Sequence, residues 1–189
     1  MKTKPWSILI LTLALLVVGA CTAAPATPTA IPSTATAEAC PTPTAETTLL
    51  TEAEDGYCLL YPAAYSTTIP GYIVINPISA PGDIPGDAWV WIDTQDAAGR
   101  TAVQAAEAEI MEVGPGFNIT RMDVTVDGEE AVVVDGLPAQ DSMRRVYMVH
   151  DERLYRLSFM PWLPNTDSAA QPALEELYAM ILDTLHFLP

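Results

Sequence analysis

A stretch of alanine, threonine and proline from residue 22 to residue 48 does most to limit how this chain folds. It has no aromatic residue and little charge, so it cannot bury enough apolar surface to form a hydrophobic core. Recurrent proline favours extended polyproline II backbone, which rises about 3.1 Å per residue. We therefore predict a flexible spacer over 21–48 and a single globular domain over 49–189.

Residues 1–20 are typical of a secretory signal peptide. Lys2 and Lys4 precede an apolar run that is shorter than the roughly 20 residues of a membrane-spanning helix. The run ends in the segment LVVGAC, which resembles the lipobox of bacterial lipoproteins and finishes at Cys21. The resemblance implies cleavage before Cys21 and a diacylglycerol on its thiol. An ordinary cleavage site that leaves Cys21 as a spare thiol is the alternative.

The lipoprotein resemblance implies an address as well as a modification. Lipid on Cys21 would hold the protein at the extracytoplasmic face of the cell membrane or the outer membrane. Two or three acyl chains anchor stably, since each buried CH₂ contributes about 0.8 kcal/mol. Thr22, where the retained class has aspartate, resembles the class that two-membrane bacteria pass to the outer membrane.

Cys40 and Cys58 remain once Cys21 is assigned to lipid. An even pair of cysteines in an oxidising location predicts a disulfide between them. Closing a loop of this size is worth about 3 kcal/mol in the chain-entropy model. The alternative is two free thiols, with Cys58 in the core.

The charge balance limits the partners. Removal of the signal peptide takes away both lysines and no acid, so the formal net charge falls by two from −16 to −18, against six arginines. Such a charge does not suit nucleic acid or anionic lipid headgroups as partners. It favours either solubility alone or affinity for cations and basic surfaces. We expect a monomer with one hydrophobic core, because residues 49–189 have the size of an ordinary single domain.

Hydrophobic patterns predict strands and helices along the domain. Apolar strands are expected at 57–62, 71–77 and 88–94, and a helix at 100–113 that stops at a GPG sequence. Asp127-Gly128 and Asp151-Glu152 each lie between two β-rich runs and predict hairpins. Leucines and isoleucine from Leu174 to Leu185 recur at helical spacing, with Pro172 in the first turn and Asp167 or Ser168 as candidate caps.

These elements predict an α+β domain: a mostly antiparallel sheet of about six or seven strands packed with two helices. The runs GEEAVVVDG, RRVYMVHDERLYRLSFMPW and LEELYAMILDTLHF resemble the second half of domains with the Mog1/PsbP-like fold. That resemblance implies an α/β/α sandwich. It implies no particular function, because members of the fold include a photosystem II subunit, a GTPase-binding factor and exported lipoproteins.

No catalytic or metal-binding constellation stands out in the sequence. His150 and His186 lack ligand-like spacing, and no G-x-S-x-G motif is present, so we assign no catalytic residue, metal or cofactor. Asp83 and Asp87, with Asp93 and Asp96 beyond them, are the candidate acids for an alternative Ca²⁺ site, although solvated loop acids fit the spacing better.

Tryptophans and arginines are the candidates for a binding surface. Large apolar side chains near turns either cap a core edge or contact a partner. Four of the six arginines fall in one hairpin, where they either form a local basic patch for a protein or anionic ligand or pair with nearby acids across the strands. The candidates are Trp89, Trp91, Trp162, Arg144, Arg145, Arg153 and Arg156.

The sequence therefore predicts a membrane-anchored, non-enzymatic binding or accessory module. An extracytoplasmic hydrolase or metal-dependent enzyme that uses Asp83 and Asp87 is the main alternative. A solute-binding lipoprotein is a further alternative, although such proteins usually have two lobes and about twice the length.

Overall fold

Two antiparallel sheets and two helices make up the part of the chain that the computed structural model describes, residues 40–75, 88–139, 142–163 and 170–189. These residues belong to one compact unit, 36–189. The arrangement confirms the predicted α+β class. In chain order the elements are β1 Thr47–Glu52, β2 Tyr57–Pro62, β3 Ser66–Ile69, β4 Tyr72–Ile75, β5 Ala88–Asp96, α1 Ala102–Val113, β6 Thr120–Val126, β7 Glu129–Pro138, β8 Ser142–His150, β9 Arg153–Met160, α2 Gln171–Thr184 and β10 His186–Phe187.

The larger sheet has seven strands in the order β3-β4-β5-β9-β8-β7-β6, and every neighbouring pair is antiparallel. Both residues of each predicted two-residue turn have positive φ: 50° and 82° at Asp127 and Gly128, and 45° and 63° at Asp151 and Glu152. Positive φ at both positions gives the turn a twist that matches the flanking strands. Both predicted hairpins are confirmed.

Helix α1 packs on one face of this sheet. The Thr101 hydroxyl accepts from the Gln104 amide, and the Gln104 side chain accepts from the Thr101 amide, which forms a capping box. The helix ends at Gly114, whose φ is 74°. Its buried alanines lie in a core cluster with Val132, Val134 and Tyr147 of β7 and β8. Small side chains on this helix face bring its backbone close to the sheet.

Helix α2 and a three-stranded sheet, ordered β1-β2-β10, pack on the other face. Leu174, Leu177 and Ile181 of α2 are fully buried with Leu59 of β2 and Leu157 of β9. The helix and the small sheet are also joined by a hydrogen bond of 3.0 Å from the Leu60 amide to the Thr184 hydroxyl. This is the larger core of the domain.

Three strands were not predicted: β1, β3 and β10. β1 begins at Thr47, within the last residues of the segment predicted as spacer, and pairs with β2. β3 and β10 are short, and all three depend on a partner strand rather than on a strong local pattern. The strand expected at 71–77 is β4, and its last two positions lie outside the described residues, as do the candidate caps Asp167 and Ser168.

Candidate functional site

An exposed apolar strip crosses three strands at one edge of the larger sheet. The register places Ile69 opposite Tyr72 and Tyr72 opposite Trp91. Ile69 is 60% exposed and Trp91 is 50% exposed. Trp89, two residues before Trp91, is partly buried, and its ring centroid lies 6.3 Å from that of Tyr72. These four side chains are called the aromatic strip below.

The strip lies on the face of the sheet that carries α1. Val90 and Ile92 are buried in the larger core on the opposite face, so alternation along β5 turns Trp89 and Trp91 the other way. Asp93 follows on the same side of β5 and lies opposite Arg156 of β9. Arg156 lies opposite Tyr147 of β8, which packs under α1. The strip and α1 therefore share one surface.

Gly71 fixes the start of β4 against β5 and so places Tyr72 beside Trp91. Its φ is +68°, and a Cβ at this position would overlap the carbonyl oxygen of Ile92. The Gly71 carbonyl accepts from the Ile92 amide at 2.7 Å, and the Gly71 amide donates to Glu52 Oε1 at 3.2 Å. Only glycine permits this approach without strain.

An ion pair between Asp93 and Arg156, whose charges cancel, borders the aromatic strip. Arg156 Nε donates to Asp93 Oδ2 at 2.9 Å, and Arg156 Nη2 donates to the same oxygen. Both side chains remain partly accessible to solvent. The exposed amide of Gln95 follows on the same face of β5. The border is therefore polar without a net charge from this pair.

Glu109 of α1 fastens the helix to the sheet and neutralises a second arginine. Tyr147 Oη donates to Glu109 Oε2 at 2.7 Å, and Arg145 Nη1 forms an ion pair with Glu109 Oε1. Arg145 Nε also donates to the buried Ser158 hydroxyl at 2.8 Å. Burial, followed by the hydrogen bond to Glu109, raises the pKa of Tyr147 well above its usual range.

A crevice of about 140 Å³ runs between α1 and strand β9 beside the Asp93–Arg156 pair. Its walls carry two guanidinium groups, from Arg100 and Arg156, and two carboxylates, from Glu109 and Glu112. Arg100 Nε donates to the Ala97 carbonyl at 3.1 Å. The crevice extends the polar border of the aromatic strip and balances its charges within itself.

Arg144 lies on the opposite face of the sheet, at the edge of the larger core. Its guanidinium is 3.9 Å from the ring centroid of Trp162 and 4.6 Å from that of Tyr178, and it makes two hydrogen bonds of 2.6 Å to Asp135. Trp162 is only 3% exposed. Arg144 and Trp162 therefore pack the core edge rather than a surface.

The structure divides the predicted arginines and tryptophans between two faces. Arg145, Arg156, Trp89 and Trp91 are on the α1 face, whereas Arg144 and Trp162 are on the other. Arg153 Nη1 donates to the Glu54 carbonyl at 2.8 Å. Three of the four arginines have a carboxylate partner, two on a neighbouring strand and one on α1, so the geometry favours ion pairs with nearby acids over a basic patch. Ile69 and Tyr72 were not among the predicted surface residues.

Both histidines make structural contacts near the C-terminus. His150 Nδ1 is 2.8 Å from Glu129 Oε1, and its ring stacks on Phe187 at 4.4 Å. His186 Nδ1 is 2.9 Å from Asp127 Oδ1. Among the described residues, no group of three His, Cys, Asp or Glu side chains is arranged to hold a metal ion.

The candidate acids are divided as well. Asp93 accepts from Arg156, and Asp96 Oδ1 accepts from the Ala98 amide at 2.7 Å. Asp83 and Asp87 lie outside the described residues.

A disulfide joins Cys40 to Cys58, with 5.8 Å between their Cα atoms, as the cysteine count predicts. It attaches Cys40, within the segment predicted as spacer, to β2, the central strand of the small sheet. Cys21 lies outside the described residues. Within the ranges that the structure covers, no helix has the length and apolar character needed to span a membrane.

No protein-family model matches this chain, and no curated protein sequence does either. Several solved structures are similar to it, including the following two. The solution structure of the cyanobacterial PsbP protein CyanoP from Synechocystis sp. PCC 6803 has a TM-score of 0.45 and 12% identity over 79% of this chain and 98% of that one. A protein of unknown function from Pseudomonas aeruginosa has a TM-score of 0.39 and 20% identity over 71% of this chain and 92% of that one.

Proposed function

We propose that this chain is a membrane-anchored extracytoplasmic lipoprotein whose folded domain is a non-enzymatic binding or accessory module, with the aromatic strip as its contact surface. The observation that carries this proposal is the register that aligns Ile69, Tyr72 and Trp91 across three strands while leaving two of them at least half exposed.

Exposed aromatic side chains on a rigid sheet are well suited to binding. A large aromatic side chain buries 150–250 Å² in a contact, and each Å² of apolar surface removed from water contributes about 25 cal/mol. Tryptophan and tyrosine are enriched among the residues that dominate binding energy. Three paired strands and Gly71 hold the strip in place before a partner arrives, so little conformational entropy is lost on binding.

The tether follows from the lipobox resemblance at Cys21. The segment 22–39 separates that cysteine from the disulfide at Cys40, and at about 3.1 Å per residue an extended segment of this length spans on the order of 50 Å. Such a spacer gives the strip access to partners some distance from the lipid surface.

Intact mass spectrometry of the protein from its native membrane tests the tether. We expect a new N-terminus at Cys21 that carries acyl mass, and we expect Cys21→Ala to leave the chain unacylated and uncleaved at that site. Unmodified Cys21 in the membrane-derived protein would overturn the proposed lipid anchor.

Photo-cross-linking in the native cells tests the binding surface. p-Benzoylphenylalanine replaces Tyr72 in one variant and Phe117 in a matched control. Phe117 is 52% exposed, but it precedes β6 at the far edge of the sheet. We expect an adduct from position 72 and none from position 117. If position 72 gives no adduct, or both positions give the same one, the strip is not the contact surface.

A further inference from the structure

The groups beside the aromatic strip define what kind of ligand it suits. The register runs from Trp91 to Ser158 and on to Arg145, whose charge is neutralised by Glu109. The next ladder on the same face pairs Asp93 with Arg156. The charged side chains on these two ladders therefore cancel in pairs, and the surface offers no net charge to an ionic ligand.

The charge of the mature chain argues against anionic ligands in particular. With a formal net charge of −18 after removal of the signal peptide, the mature chain repels phosphate-rich ligands and anionic headgroups at long range. Because the local pairs supply no compensating positive charge, an anionic ligand gains nothing at the strip. A strongly basic ligand finds Asp93 already bound by Arg156. An uncharged ligand is therefore favoured.

The strip has an apolar part and a polar part, side by side. Trp89 and Trp91 are two residues apart on one strand, about 7 Å, and neighbouring strands are about 4.8 Å apart, so the aromatic surface is wide and flat. Next to it lie a guanidinium, a carboxylate and the amide of Gln95, which are planar groups that donate and accept hydrogen bonds. A ligand that fits both parts has an apolar face and a hydroxyl-rich edge.

A sugar ring has this combination. The C–H groups on one face of a pyranose pack against the electron-rich face of an aromatic ring, and its hydroxyl groups bond to planar polar side chains at the edge. A purely apolar peptide segment would cover the polar border without satisfying it, at a cost in unpaired hydrogen-bonding groups.

We infer that the aromatic strip and the Asp93–Arg156 pair form a binding site for an uncharged saccharide chain. The inference rests on the proposed function, since it names the ligand class of the same surface. Trp91 supplies the stacking face, Tyr72 and Ile69 extend it, and Asp93, Arg156 and Gln95 bind hydroxyl groups.

Tryptophan fluorescence of the full-length protein, in lauryldimethylamine oxide because that detergent contains no sugar, measures binding of chitohexaose and cellohexaose. We expect a saturable change with at least one of these probes. Trp91→Ala should weaken the affinity about tenfold, and Trp91→Phe should keep more of it because an aromatic face remains. Phe117→Ala is the matched control and should bind like the unaltered protein.

Analysis of the adduct formed in cells at position 72 decides the ligand class whichever sugar is involved. An adduct peptide that releases monosaccharides on acid hydrolysis supports the inference. An adduct made of another protein, a lipid or a second copy of this chain overturns the saccharide inference while leaving the proposed binding function intact. The absence of any adduct at position 72 overturns both, so the two failures are distinguishable.

Discussion

The two faces of the seven-stranded sheet differ in how they are covered. In the described part of the chain, one face lies under α2 and the three-stranded sheet, where Leu177 and Phe159 have no exposed surface. The other face carries α1 over β7 and β8. Toward β3, β4 and β5 the same face presents Trp91 half exposed.

Strand β5 shows that the exposed part of the second face is not simply a polar surface, because apolar residues lie on both of its faces. In β5, Val90 and Ile92 are buried while Trp91 between them is exposed. The smaller aliphatic residues fill the core, and both tryptophans of the strand face away from it. Core packing therefore accounts for one face of β5, whereas the exposed tryptophan has no such explanation and is the better candidate for function.

The largest expected contrast is between Leu177→Ala and Trp91→Ala. Leu177→Ala removes a fully buried side chain and should lower the free energy of unfolding by about 2–5 kcal/mol. Trp91→Ala, on the exposed part of the other face, should change it by less than about 1 kcal/mol. Urea denaturation followed by circular dichroism measures both. Equal losses would mean that Trp91 is a core residue and would remove the distinction between the faces.

The disulfide joins the chain to the small sheet on the covered face, and the aromatic strip lies on the other face, so loss of the disulfide should be separable from binding. Cys40→Ser opens a loop with a sequence separation of 18 and should lower the free energy of unfolding by about 3 kcal/mol. The unaltered protein under reducing conditions is the matched control and should lose a similar amount. We expect ligand binding at Trp91 to persist in folded Cys40→Ser protein. Loss of binding with the fold intact would show that the two regions are coupled.

The smallest expected contrast is between two tyrosines, one on each face. Tyr147→Phe removes the hydrogen bond to Glu109 and should cost about 1–2 kcal/mol. Tyr57 Oη is buried and has no hydrogen-bond partner in the described residues. Tyr57→Phe removes this unsatisfied group and should leave stability unchanged or raise it slightly. If Tyr57→Phe lowers the free energy of unfolding as much as Tyr147→Phe does, the Tyr57 hydroxyl is not an unsatisfied group.

The dependence of stability on alkaline pH gives a second test of Tyr57 and Tyr147. Burial, as the main cause, raises the pKa of both Tyr57 and Tyr147 in the folded protein. The unfolded chain therefore loses these protons first, above the ordinary tyrosine value of about 10, and the folded state loses relative stability as pH rises from there. Each phenylalanine variant should reduce this loss in denaturation midpoints measured between about pH 9 and 11. An unaltered slope in both variants would exclude these two groups as its source.

The sequence predicts those parts of the fold that depend on local signals. The strand at 57–62, both hairpins and both helices have clear periodicity or turn residues, and the structure confirms them. The strands β1, β3 and β10 depend on distant pairing partners. The sequence does not indicate Ile69 and Tyr72 as surface residues, because they align with Trp91 only when β3, β4 and β5 pair.

The arginines of β8 show a signal that sequence alone contains. Arg144 and Arg145 are adjacent in a strand, so alternation sends them to opposite faces, one to Asp135 and Trp162 and the other to Glu109. The number of arginines in a hairpin therefore does not by itself indicate a shared patch, because adjacent residues of a strand lie on opposite faces. Their carboxylate partners come from a different strand and from a helix, which the sequence does not identify.

The disulfide also determines how the domain responds to mechanical force. A pull on the segment before Cys40 passes through the sulfur atoms directly into β2, the central strand of the small sheet. Residues 41–57, including the whole of β1, lie inside the covalent loop and carry no tension. The outer strand therefore cannot be peeled from its neighbour by such a pull, and the load enters the domain at a strand paired on both sides.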